Sequence, residues 1–142
     1  MKIPARLLLI AALGSCPAWS QTGGPIRPLA QDFVVVAQSP DAKNRPLYSP
    51  SILSLPSGRL VASYTEARKK ENTDRDFQVI LTSDDGGKTW TKRAESSALQ
   101  GRIFPAGKSL YYLGTGAGLP ISRSNDDGAT WSDPVFLTDQ SQ

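Results

Sequence analysis

Ser83-Asp84-Asp85-Gly86-Gly87-Lys88-Thr89-Trp90 (SDDGGKTW) is answered further along the chain by Ser124-Asn125-Asp126-Asp127-Gly128-Ala129-Thr130-Trp131 (SNDDGATW). Both octapeptides read Ser-x-Asp-x-Gly-x-Thr-Trp, and residue types in that order suit a compact hairpin corner. The short acidic side chain of Asp85 or Asp126 can accept hydrogen bonds from N–H groups of its own turn. Gly87 or Gly128 supplies a positive φ that a Cβ would oppose. Thr89 or Thr130 opens the outgoing strand, and Trp90 or Trp131 offers a large ring to bury between sheet elements. Ser83 and Ser124 close the pattern on the incoming side. The spacing of acidic residues does not match a calcium loop and lacks its distant bidentate glutamate, so these aspartates are read as structural and no metal site is expected.

Working outward, short apolar runs recur on either side of each octapeptide. Phe33–Ala37, Ser51–Leu55, Arg59–Thr65, Phe77–Thr82 and Thr89–Ala94 precede or follow the first. Arg102–Phe104, Leu110–Gly114, Pro120–Ser124 and Pro134–Thr138 surround the second. β-Branched and aromatic residues dominate these runs and none has the length of a helix, so each reads as a strand. A polar loop is expected over residues 66–75. The offset from position 83 to position 124 is 41 residues, the length of a four-stranded propeller blade. The expected fold class is therefore all-β, built from propeller blades.

Composition agrees. The chain has 142 residues, 39% hydrophobic and 20% charged, with 12 Gly and 11 Pro to punctuate strands. Formal charge is +3, but Lys2 and Arg6 lie in the first twenty residues, and the remainder holds 14 basic against 13 acidic groups. No basic stripe with interleaved aromatics is present, so no nucleic-acid partner is expected. There is no histidine, which excludes a Ser-His-Asp or Cys-His centre within this sequence. Two further patterns fail on spacing. GRIFPAGKS (Gly101–Ser109) has five residues between its glycines where a phosphate loop needs four. GTGAG (Gly114–Gly118) is followed by Pro120 rather than a helix. No cofactor is expected.

Residues 1–20 read as a secretory leader, with Lys2 and Arg6 ahead of the apolar Leu7–Leu13 and small residues at Ala18 and Ser20, giving cleavage before Gln21. The apolar run is too short for a permanent membrane span. A second reading takes Leu13-Gly14-Ser15-Cys16 as a lipobox with Cys16 lipidated. Either route places the protein outside the cytoplasm: secreted, periplasmic or at the cell surface. Residues 21–31 read as a flexible lead-in, and residues 32–142 as a partial propeller.

The two octapeptides, at 83–90 and 124–131, match the Asp-box (BNR-repeat) pattern, and the chain is similar to the sialidase (neuraminidase) superfamily. Pro50–Tyr64 (PSILSLPSGRLVASY) followed by Glu66-Ala67-Arg68 resembles the first blade of those enzymes, where a Tyr-Arg-Ile-Pro motif leads into two strands and an acidic-Gly-Arg ending. The resemblance spans residues 45–131. It implies a sialidase-like six-bladed propeller of which about two to three blades are present, an N-terminal fragment of an exported exo-α-sialidase-like glycoside hydrolase that removes terminal sialic acid or a related sugar from glycans. It implies a glycan or glycoconjugate as partner. By resemblance Arg68 contacts polar groups of the sugar ring, and the general acid is a carboxyl between the second and third strands, Asp74 or Asp76. Registering Pro50 on the motif's proline puts Tyr48 where the carboxylate-gripping arginine stands in the family, and Arg45 is the nearest arginine. In the family the nucleophilic tyrosine, its glutamate partner and two further arginines come from later blades. The competing expectations are a carbohydrate- or protein-binding propeller without chemistry, and a truncated inactive product.

Overall fold

Val61, Ser63 and Thr65 alternate with Ala62, Tyr64 and Glu66, and that alternation gives a strand two distinct faces. All six except Tyr64 are buried, as befits a strand with neighbours on both edges and both faces. The computed structural model describes residues 32–68 and 75–139. The leader, Cys16 and Asp74 lie outside those residues.

Eight strands follow in order: β1 Leu47–Ser54, β2 Leu60–Arg68, β3 Arg75–Ser83, β4 Thr91–Ser96, β5 Leu99–Ala106, β6 Ser109–Thr115, β7 Pro120–Ser124 and β8 Val135–Phe136. They form two four-stranded antiparallel sheets with orders β1-β2-β3-β4 and β5-β6-β7-β8. No helix occurs among the described residues. Each sheet is an up-and-down meander, the form of a propeller blade. β5 lies against β1, β2 and β3 of the first blade.

Each octapeptide joins the third strand of its blade to the fourth, and the two have the same hydrogen bonds. Asp85 Oδ1 accepts from the Thr89 N–H at 2.9 Å and from the Ser83 hydroxyl at 2.8 Å, while its Oδ2 accepts from the Thr89 hydroxyl at 2.6 Å. Asp126 repeats these with Thr130 and Ser124 at 2.9, 2.8 and 2.6 Å. The serine hydroxyl also accepts the glycine N–H, at 2.9 Å in both turns. Each indole N–H donates to its glycine carbonyl, Trp90 to Gly87 at 2.9 Å and Trp131 to Gly128 at 3.1 Å. Gly87 and Gly128 have φ of 90° and 82°.

The core is shared between the blades. Leu55, Val61 and Ile80 of the first pack with Ala98, Ile103, Leu110 and Tyr112 of the second, and Trp131 leans on the same cluster. A Cβ on Gly128 would stand 3.3 Å from both methyls of Val61, so the second turn presses its bare backbone onto the first blade. Tyr112 is fully buried, and its hydroxyl accepts the Gly101 N–H at 2.6 Å.

Two sequence-based expectations differ from the structure. Phe33–Ala37 forms no strand, because β-forming side chains cannot hold a strand without a neighbouring backbone to bond, and no described strand runs beside it. Instead Val34 packs on Gly87, where a Cβ would stand 2.9 Å from its Cγ2. The polar loop expected over 66–75 is also shorter: β2 continues through Arg68 and β3 starts at Arg75, with Arg68 paired to Arg75.

Tyr112→Phe is expected to lower unfolding stability in urea by about 1–3 kcal/mol, since it leaves the buried Gly101 N–H without an acceptor. Tyr111→Phe, at the neighbouring half-exposed ring, is expected to change it by less than about 0.5 kcal/mol.

Candidate functional site

The first strand of each blade carries an irregularity at the same place. In β1 the register passes from Tyr48↔Thr65 to Ser51↔Ser63, and in β5 from Leu99↔Thr115 to Arg102↔Leu113. Three steps along one strand oppose two along its partner, which is a β-bulge. The extra residues, Ser49 and Gln100, adopt φ of 50° and 52°. Left-handed backbone at a residue other than glycine costs energy and concentrates at functional positions.

The β1 bulge holds Tyr48 opposite Thr65, on the face that meets the second blade. There the Tyr48 hydroxyl donates to Asp76 Oδ2. The Gln100 N–H donates to Thr65 Oγ1 at 3.2 Å, and the Thr65 hydroxyl donates to Gln78 Oε1 at 2.9 Å. Gln78 Nε2 is left buried without a partner, a costly condition for an amide donor. Burial raises the Tyr48 phenol above its ordinary range, and the hydrogen bond and charge of Asp76 raise it further. Tyr48 therefore keeps its proton at neutral pH and Asp76 is the acceptor. Tyr48, Asp76, Gln100, Thr65 and Gln78 make a polar seam between the blades.

The opposite face of the same sheet holds the arginines. Glu66 is buried, and its Oε1 accepts from Arg45 Nε at 2.6 Å and from Arg68 Nε at 3.1 Å. Arg68 also grips Glu95 through two parallel bonds of 2.9 Å, the bidentate geometry that guanidinium favours. Its guanidinium carbon lies 4.3 Å from the centre of the Phe77 ring. Lys92 adds a contact to Glu95 at 2.9 Å. Burial pushes the Glu66 carboxyl up, but hydrogen bonds from Arg68 and Arg45 outweigh it and leave the group below its usual range. Glu95 is held down to about 2 by Arg68 first and Lys92 second. Three cations here meet two carboxylates, so neither arginine is offered bare to an anion.

The residues singled out in the sequence thus fall on two faces. Tyr48 and Asp76 are brought together; Arg45 and Arg68 are together, bound to Glu66, on the other side. Sequence reasoning missed Gln100, Thr65 and Gln78, and it missed Glu95 as the partner of Arg68. The only signal for Gln100 was its place in the first strand of the second blade, matching Ser49, and a bulge leaves no mark in residue types.

No family model matches the chain, and no curated protein does either. Solved structures do. A protein of unknown function from Dyadobacter fermentans is 21% identical, with a TM-score of 0.50, over 60% of this chain and 26% of its own. An alpha-L-arabinanase of Penicillium chrysogenum, solved with arabinobiose, is 24% identical with a TM-score of 0.47, over 67% of this chain and 32% of its own. Trypanosoma rangeli sialidase is 23% identical with a TM-score of 0.44, over 56% of this chain and 13% of its own. The chain spans no more than about a third of the length of these proteins. The likeness is one of fold: this is an all-β chain whose two four-stranded sheets are propeller blades.

The depressed carboxyls set an acid limit. Glu95 and Asp126 both titrate near 2 in the folded chain, Asp126 because Thr130 and Ser124 donate to it. A carboxyl held below its unfolded value stabilises the fold while ionised, fully so above the unfolded value and not at all once pH falls through the folded one. The urea midpoint is expected to hold above about pH 5 and to fall steadily from there towards pH 2. Glu95→Gln is expected to flatten part of that slope.

Proposed function

We propose that this chain contributes two blades to an exported Asp-box propeller that acts on glycans, a glycoside hydrolase of exo-α-sialidase type, with Asp76 as its proton-handling carboxyl. The observation that carries this reading is the Tyr48–Asp76 hydrogen bond at the end of the inter-blade seam, beside the bulged Gln100. A carboxyl so placed can pass a proton to a leaving oxygen and recover it from water. Tyr48 orients it, and the exposed Gln100 adds an amide group suited to sugar hydroxyls. Asp74 is the other candidate acid from the sequence. Sialic acid or a related terminal sugar is the substrate class, and the nucleophile and carboxylate-binding arginines belong to further blades.

A second reading, a carbohydrate-binding propeller without chemistry, has its own support. Arg45 and Arg68 are bound to Glu66 and Glu95 across the sheet from Asp76, so neither of these two arginines stands beside the acid.

Turnover of fluorogenic sialosides and arabinosides by the protein, with titration calorimetry against the parent sugars, separates the two. On the hydrolase reading Asp76→Asn lowers kcat by about 100-fold or more while binding persists. Tyr48→Phe causes a smaller loss with a displaced pH profile, and Asp74→Asn has little effect. If Asp76→Asn leaves turnover intact, the assignment of the acid is wrong. Sugar binding without turnover in the wild type selects the second reading. Mass spectrometry of the exported protein is expected to find an N-terminus at Gln21, and a lipid-bearing Cys16 would overturn that cleavage site.

A further inference from the structure

The two sheets do not close on each other along their whole width. Beside β4 a cavity of about 270 Å³ lies between them, lined by Ile80, Ser96 and Ser97 of the first blade and by Ser122, Trp131 and Asp133 of the second, among others. Strand phase decides what faces it. Ser122 stands opposite Tyr112, whose ring is fully buried, and so shares the face that meets the first blade. Trp131 gives its indole N–H to the Gly128 carbonyl, so it offers the cavity ring carbon and no donor. Tyr48, Asp76 and Gln100 do not border this space.

The Ser122 hydroxyl is what asks for a ligand. Ser122 is 5% exposed, yet its hydroxyl bonds to nothing among the described residues, and a polar group so deeply placed normally has a partner. Ser124, two residues along the same strand, shows the contrast: its hydroxyl donates to Asp126 and accepts the Gly128 N–H. The Ser96 hydroxyl accepts the Ala98 N–H at 3.1 Å and keeps its own proton for another acceptor. The exposed Ser97 hydroxyl and the Asp133 carboxylate also bond to nothing among the described residues.

The lining narrows the choice of occupant. It includes Asp133 and no lysine or arginine, which disfavours an anion. No group of three metal-ligating side chains gathers among the described residues. A hydrocarbon would leave the Ser122 hydroxyl unpaired. A neutral molecule with hydroxyls at its edge and C–H groups on a face satisfies every wall at once.

We infer that this crevice binds one neutral sugar unit of a glycan, at a site separate from the Tyr48–Asp76 seam. Ser96, Ser97 and Ser122 exchange hydrogen bonds with sugar hydroxyls, Asp133 accepts from another, and the C–H face of the ring lies on Trp131. The site needs no catalytic carboxyl, so it serves a hydrolase and a binding propeller alike.

Titration of isotope-labelled protein, followed by NMR, tests this with galactose, xylose, arabinose and N-acetylglucosamine as neutral probes and N-acetylneuraminic acid as the charged one. At least one neutral sugar is expected to shift the Trp131 indole and Ser122 amide signals saturably, with a Kd of about 1–10 mM. The charged sugar is expected to bind there more weakly. Ser122→Ala and Asp133→Ala are each expected to weaken the neutral sugar by about 3–10-fold. The urea midpoint of Ser122→Ala should hold or rise, since an unpaired buried hydroxyl is removed. Asp76→Asn is expected to leave this binding as it is, which separates a failure here from a failure of the proposed acid. The inference is overturned if no neutral probe moves Trp131 at about 50 mM, or if the shifts gather on Tyr48 and Gln100 instead. It is equally overturned if either variant binds as tightly as the wild type, or if the charged sugar binds at Trp131 more tightly than the neutral ones.

Discussion

A carboxylate that satisfies its own turn is what allows the two sheets to touch. Asp126 gathers the Thr130 N–H and hydroxyl and the Ser124 hydroxyl, while Ser124 takes the Gly128 N–H, so the corner needs nothing from outside. A self-sufficient corner can present bare backbone to its neighbour, and Gly128 lies against Val61 with no room to spare. Core contacts from Ile80 to Ile103 and Tyr112 follow from that approach. Asp127 even takes a left-handed φ of 55° where the first turn has Gly86 at 73°, a conformation aspartate tolerates better than most residues.

The fold was legible where the signal is local. The octapeptides name their own turn, since every bond in them spans at most four residues, and the strands beside them alternate as strands must. Phe33–Ala37 was misread for the opposite reason. Its residues favour a strand, but a strand is a relation between two backbones, and only one of them can be read there. The ends of β2 and β3 were likewise set by pairing, Arg68 with Arg75, rather than by the polarity of the residues concerned.

The candidate site was half legible. Residue types suggested an acid near position 76 and arginines at 45 and 68, but their partners are distant in sequence: Glu66 lies 21 residues from Arg45, and Asp76 lies 28 from Tyr48. Which face each side chain joins depends on strand register. Sequence proximity of Glu66 and Arg68 to the acidic loop made one site of what the sheet divides into two. The seam holds a neutral phenol, a carboxylate and amides; the other face holds a compensated ion network in which the buried Glu66 serves two guanidiniums. Removing either arginine would leave Glu66 less well compensated in a buried setting, which makes the network a support for the end of β2 as much as a feature of its surface.

The β1 bulge decides the company that Tyr48 keeps. Regular pairing upstream of Ser51 would set Ser49 against Thr65 and move Tyr48 opposite Glu66, among the arginines. A slide of one residue would thus carry a phenol from one chemical environment to another with no substitution at all. The identity of this site is stored in strand phase as well as in side chains. An alignment column that preserves the tyrosine can still conceal its loss.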